Sequence, residues 1–200
     1  MAIVTLFYDL ETTGLDFRQN SIHQLAGIID VDGEVVETFN INLRPHPKAK
    51  IEESALTTCG VTLEELQSYP DYKEGYRKFK NILQKYVDVY DKKSKMYLAG
   101  YNNASFDNNF LRKLFDLCGD SFFAAYFYAE PLDVMVLAGQ HFKKVDGRCD
   151  MPSFKLSRVC KELDIEVIDD NTHDALYDVT LTREVYKAIT EPNKDFDFML

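Results

Sequence analysis

The dipeptide Asp32-Gly33 lies between two apolar, β-branched runs at residues 22–31 and 34–43, and no other stretch narrows the possible folds as far. A two-residue Asp-Gly loop favours the turn whose backbone twist matches that of paired strands, so the runs are expected to form an antiparallel hairpin. Residues 2–8, dense in β-branched and aromatic side chains, predict a buried strand beside it, and residues 96–101 predict a fourth. Elsewhere the period changes. Tyr72, Tyr76, Phe79, Ile82, Leu83 and Tyr86 recur at helical spacing behind Pro70 and predict a long helix over 71–90. Phe110, Leu111, Leu114 and Phe115 do the same over 107–117, with Asp107 as the expected cap. Shorter helices are expected near 52–58, 62–67 and 153–163, in pieces over 121–142 broken at Pro131, and over 174–189 ahead of Pro192. Prolines make 44–47 irregular, and 143–150 has the composition of an exposed loop. Strands alternating with helices after an opening hairpin define an α/β fold, a mixed sheet flanked by helices.

Two hundred residues are enough for one such domain, and no repeat or linker divides them. The expected domain is 1–190, followed by a polar, aromatic tail at 191–200. Lys and Arg number 23 against 33 Asp and Glu, a net charge of −10, which argues against a protein that coats duplex DNA through counterion release. Any nucleic acid must be held locally. Cys59, Cys118, Cys149 and Cys160 form no C-x-x-C pair and no zinc spacing, so they read as reduced, buried apolar residues in a cytoplasmic protein. The apolar run at the N-terminus is too short for a signal peptide or a membrane span, and no membrane association is expected. The sequon Asn103-Ala104-Ser105 adjoins the acids discussed next, where a glycan would obstruct them, which disfavours secretion.

Where the first strand ends, Asp9 and Glu11 stand two residues apart and so point to the same face. Paired anions there are costly unless a cation sits between them, and a hard divalent cation with oxygen ligands is the usual solution. Taken alone, the pair is also compatible with a solvated turn after an edge strand. Asp107 follows the fourth strand in Gly100-Tyr101-Asn102-Asn103-Ala104-Ser105-Phe106-Asp107, with Phe106 beside it as a base-stacking surface. By itself it reads as an ordinary helix cap. His173 precedes Asp178 by five residues, and the two converge only if His173 lies in the loop before the last helix. A loop histidine beside a ligating carboxylate can take a proton from water near neutral pH, although an isolated one is more often a surface residue.

Together these residues resemble the DEDDh, or DnaQ-like, 3′–5′ exonuclease superfamily. Asp9 and Glu11 in D-x-E-T-T-G-L occupy its first motif, Asp107 in F-D its second, and His173 with Asp178 in H-D-A-x-x-D its third. The resemblance spans about residues 3–190. Its wording is closest to the nuclease domain of exonuclease I, through Gly100 to Asn103 with Phe106-Asp107 and Pro152-Ser153-Phe154-Lys155-Leu156, and to the proofreading subunit of DNA polymerase III. It implies an RNase H-like mixed sheet and removal of nucleotides from 3′ ends as 5′-monophosphates. It also implies two Mg²⁺ ions, replaceable by Mn²⁺, held by Asp9, Glu11, Asp107 and Asp178. In that scheme Asp9 bridges both ions, Glu11 and Asp178 complete the water-bearing site, and His173 is the general base.

By the same resemblance Thr13, Leu15 and Phe106 contact the terminal sugar and base, with Leu15 equally readable as core. Asn102 and Lys155 join them as substrate-binding candidates. Asn102 stands where proofreading subunits often carry a histidine, so contacts to the strand end differ at that point. Lys143, Lys144, Arg148, Lys155, Arg158 and Lys161 form the densest basic region and are candidates for tracking the backbone, or a solvated face. His23, His46 and His141 receive no role. The expected partner is a nucleic-acid 3′ end, foremost single-stranded DNA, with a polymerase or other replication protein as a further candidate. Two alternatives stay open: an RNA-directed exonuclease of the same fold, separable by comparing matched DNA and RNA oligomers, and a non-catalytic binding module, which Mg²⁺-dependent mononucleotide release eliminates.

Overall fold

Thirteen elements follow one another through residues 2–144, 147–168 and 174–190, which the computed structural model describes. They are β1 (Val4–Thr12), β2 (Ile22–Val31), β3 (Glu34–Asn42), α1 (Glu53–Cys59), α2 (Leu63–Ser68), α3 (Tyr72–Tyr86), β4 (Tyr97–Gly100), α4 (Asp107–Leu117), α5 (Phe123–Tyr126), β5 (Leu132–Asp133), α6 (Val134–His141), α7 (Leu156–Glu162) and α8 (Ala175–Thr190). His173 and the tail at 191–200 lie outside the described residues. The five strands are ordered β3-β2-β1-β4-β5, antiparallel between β3, β2 and β1 and parallel from β1 to β4 to β5. This is the expected mixed sheet flanked by helices. Asp32 and Gly33 both adopt positive φ, 53° and 90°, the tight hairpin turn read from their sequence.

β1 runs through the middle of the sheet and is covered on both faces. Leu6, Tyr8 and Leu10 face one core, shared with Tyr76, Phe79 and Leu83 of α3 and Phe110, Leu111 and Phe115 of α4. Phe7 faces the other, against Ala175 and Val179 of α8. Asp9 and Glu11 have the parity of Phe7, so strand alternation sets them on the α8 side. α8 is fastened there by Arg183, which is buried with Asp30 of β2. Its Nε donates to Asp30 Oδ2 at 2.8 Å, and its Nη2 donates to the Gly33 carbonyl at 2.6 Å.

Several boundaries differ from expectation. β1 continues to Thr12, so both acids lie within the ladder, opposite Ala26 and Gln24, and the strand is irregular between Glu11 and Thr12. α3 ends at Tyr86 rather than near 90, because Val87 is already extended and the following turn is tied by Asp88 N–H donating to Ser94 Oγ. β5 has two residues, too few to show a period. α7 begins at Leu156, after Lys155 in extended conformation. Asp107 is the first residue of α4 while Phe106 holds the capping position, so the acid is not the cap. Of the cysteines only Cys160 is buried; Cys59 and Cys118 are half-buried and Cys149 is exposed, because it falls in the exposed loop. Leu15, 81% exposed, is not core. No helix among the described residues is long and apolar enough to cross a membrane.

Candidate active site

The carboxyl end of a central parallel strand, where neighbouring connections diverge, is where open α/β sheets place their chemistry. Here β4 pairs with β1 only as far as Phe7, so Asp9 and Glu11 project beyond the end of β4, and the chain from 101 to 107 turns over that edge. Gly100 permits the turn. A Cβ there would come within 2.8 Å of Asn103 Cβ and 3.0 Å of the Tyr8 carbonyl oxygen, so the loop lies against β1. It delivers Asp107, buried, to the acids of β1, while Asp178 arrives on the first turn of α8.

The four carboxylates share one electrostatic field. Burial raises the pKa of Asp9 well above the ordinary range, and the charges of Asp107, Glu11 and Asp178 push it the same way. Burial likewise pushes Asp107 up to about 7, with Glu11 and Asp133 adding to it. Buried Tyr8 is held protonated by its burial and by the charges of Asp107 and Asp9, and its hydroxyl donates to Asn108 Oδ1 at 2.5 Å. An all-carboxylate set whose ionisation is opposed by burial and mutual repulsion fits hard divalent cations, which prefer oxygen ligands and relieve that cost. Among the described residues no three His, Cys, Asp or Glu side chains already converge on one ion position. The acids share a field without forming a closed shell.

Two neighbours of the acids were not singled out in the sequence. Asp133, buried at the end of β5, accepts from the N–H groups of Asn102 at 3.1 Å and Ala104 at 3.3 Å, and caps α6 through the N–H groups of Met135 and Val136. One carboxylate thus ties the Asp107 loop to the sheet. Its signal was an acid directly ahead of the apolar run of α6, a capping signature. Cys59, at the end of α1, donates through Sγ to Glu11 Oε2 at 2.9 Å. Burial and the nearby acids push its thiol up to about 12.

The substrate candidates divide. Thr13 is completely buried, and its hydroxyl donates to the Lys50 carbonyl at 2.7 Å and accepts from Ser21 N–H at 3.0 Å. It braces the loop after β1, and its side chain has no exposed surface in this structure. Leu15 stands in solvent just beyond that loop. Phe106 is half-buried, 5.0 Å from the ring of Phe110. Asn102 is exposed with φ 61°, its side-chain oxygen accepting from Ser105 Oγ at 2.8 Å. Lys155 is exposed ahead of α7. Within the basic region Lys144 pairs with Asp150 and Arg158 with Glu162, so part of that charge is already neutralised.

The RNase_T exonuclease family model matches residues 6–186. A PolC-type DNA polymerase III of Bacillus cereus is 27% identical over 175 residues, which are 88% of this chain and 10% of that protein. The chain thus spans about a tenth of the length of such relatives. The DNA polymerase III subunit epsilon of Rickettsia felis is 25% identical over 185 residues, covering 92% of this chain and 73% of that one. Among solved structures, E. coli exonuclease I in complex with a dT13 oligonucleotide superposes with a TM-score of 0.73 at 22% identity, covering 94% of this chain and 41% of that one. That likeness establishes the same RNase H-like fold.

Proposed function

This chain belongs to the RNase_T exonuclease family, and from that premise we propose that it hydrolyses phosphodiester bonds at the 3′ end of single-stranded or frayed DNA, releasing 5′-mononucleotides. The observation that carries the reading is placement: Asp9 and Glu11 on β1 beyond the end of β4, Asp107 at the start of α4 and Asp178 in the first turn of α8, with burial and then mutual charge raising the pKa of Asp9. Crowding of this kind costs stability and is kept where function requires it. Asp9, Glu11, Asp107 and Asp178 are the residues that would hold two Mg²⁺ ions, with Mn²⁺ able to substitute. Held there, the ions would supply Lewis-acid activation of water and charge neutralisation at the scissile phosphate.

The remaining roles belong to the chain itself. His173, which lies outside the described residues and precedes α8 in the sequence, is the proposed general base. Leu15 and Phe106 offer apolar surface to the terminal base, and Asn102 and Lys155 offer polar groups to the sugar and backbone. The net charge of −10 makes strand binding local to this end of the sheet. The cysteines form no disulfide, as in a reducing cytoplasm, the compartment we assign. The polymerase relatives support a replication protein as partner.

The test is digestion of 3′- and 5′-end-labelled DNA and RNA, single- and double-stranded, with Mg²⁺ or with chelator. The expected result is stepwise mononucleotide release from the 3′ end of single-stranded DNA only when the cation is present. Faster hydrolysis of RNA would reassign the substrate, and no release from either polymer would overturn the reading.

A further inference from the structure

We propose that Cys59 is a positioning residue for Glu11, its thiol fixing one carboxylate oxygen so that the other is presented to a cation; the inference rests on the exonuclease reading above. The thiol donates to Glu11 Oε2 at 2.9 Å, across 48 positions of sequence. The contact is built from both ends of α1. At its start, Glu52 N–H donates to the Thr13 carbonyl at 2.9 Å and Lys50 N–H to the Gln19 carbonyl at 2.8 Å. The Thr13 hydroxyl and the Asn20 amide both donate to the Lys50 carbonyl, at 2.7 and 3.0 Å. The loop that leaves β1 just after Glu11 therefore grips the chain entering α1. At its end, Gly60 takes a left-handed φ of 65° and closes the helix, stopping it with Cys59 facing β1.

The donor type matters. A lysine or arginine in this place would cancel the charge that a cation needs, and an aliphatic residue would remove the donor to Oε2. A thiol is a weak neutral donor, which orients Glu11 and leaves its charge in place. Partners of this kind, one bond removed from an ion, commonly alter cation affinity by about tenfold or more.

The test compares wild type with Cys59→Ala, Cys59→Val and Cys59→Ser. Valine keeps the volume and removes the donor, and serine keeps a donor. Mn²⁺ binding is measured by calorimetry without substrate, alongside the Mg²⁺ dependence of nucleotide release and the melting temperature in chelator. Alanine and valine should each weaken Mn²⁺ binding by about tenfold or more, raise the Mg²⁺ needed for half-maximal rate by a similar factor, and melt within about 2 °C of wild type in chelator. Serine should stay within about twofold of wild type. Wild-type affinity in the folded alanine and valine variants, or equal weakening in serine, overturns the positioning role alone. Wild-type protein that neither binds Mn²⁺ nor releases nucleotides overturns the exonuclease reading and this inference with it.

Discussion

The carboxylate of Asp133 accepts the backbone N–H of Asn102 at 3.1 Å, joining the last strand of the sheet to the loop that carries Asp107. The same carboxylate also serves Ala104 and the first turn of α6, so its removal orphans several N–H groups together. Unsatisfied buried polar groups cost about 1–3 kcal/mol each.

Asp133→Ala is therefore expected to lower stability by about 2–4 kcal/mol and to reduce nucleotide release by more than that loss explains, because Asp107 loses its support. Denaturant unfolding and initial rates on the folded variant check this. An unchanged rate in a destabilised protein would confine Asp133 to a purely structural role.

Asp107 gives a pH-dependent prediction. Its carboxyl titrates near 7 when folded, against 3.8 ordinarily, so over that interval the folded chain binds more protons than the unfolded one. Stability must then fall as pH rises from about 4 to 7, and the penalty is complete above 7. Asp9 acts in the same direction. Buried His23, pushed down to about 4 by desolvation, acts oppositely below pH 6.5, so the informative quantity is a difference between proteins. In chelator at pH 8, Asp107→Asn should melt about 2–6 °C above wild type, and the two should converge near pH 4. Scanning calorimetry across that range measures it. Added Mg²⁺ should raise the wild type at pH 8 and leave the variant less affected.

The buried pair of Arg183 and Asp30 holds α8 to the hairpin, and with it Asp178. Arg183→Met leaves Asp30 buried without its cation and should cost about 3–5 kcal/mol. Asp30→Asn keeps the acceptor for Gly33 N–H, now at 2.8 Å, and should cost less. The double variant should recover part of the Arg183→Met loss, and strictly additive costs in a double-mutant cycle would show that the pair is not coupled.

His173→Ala should preserve Mn²⁺ binding and substrate affinity while slowing hydrolysis by about 10²–10⁴, the usual cost of a lost general base. Single-turnover kinetics at saturating Mg²⁺ decide it. A rate within about threefold of wild type would assign proton removal to another group.

The hairpin, the strand-helix alternation and the position of the acids were legible because each rests on local chemistry: Asp32-Gly33 in a turn, Phe7, Asp9 and Glu11 alternating across one strand, Tyr76 and Phe79 spaced along a helix. Asp107 was misplaced by one position, since an acid opening a helix reads as a cap whether or not its side chain bonds the backbone. β5 escaped because a two-residue strand exists only through its partner, with Ala99 and Gly100 pairing Leu132 and Asp133. The roles of Asp133, Cys59 and Thr13 are long-range hydrogen bonds, which leave no periodic trace in sequence. Thr13 adjoins the acids along the chain yet faces inward, toward Lys50 and Ser21, which adjacency alone does not reveal.

The acids are drawn from opposite ends of the fold, Asp9 and Glu11 from its first strand and Asp178 from its last helix. During synthesis the hairpin strands leave the ribosome before α8 does and can pair early. A growing chain thus carries two of its acids in a sheet that lacks the element bringing the fourth. Docking of α8, secured when Arg183 reaches Asp30, is the step that brings Asp178 to the acids of the sheet.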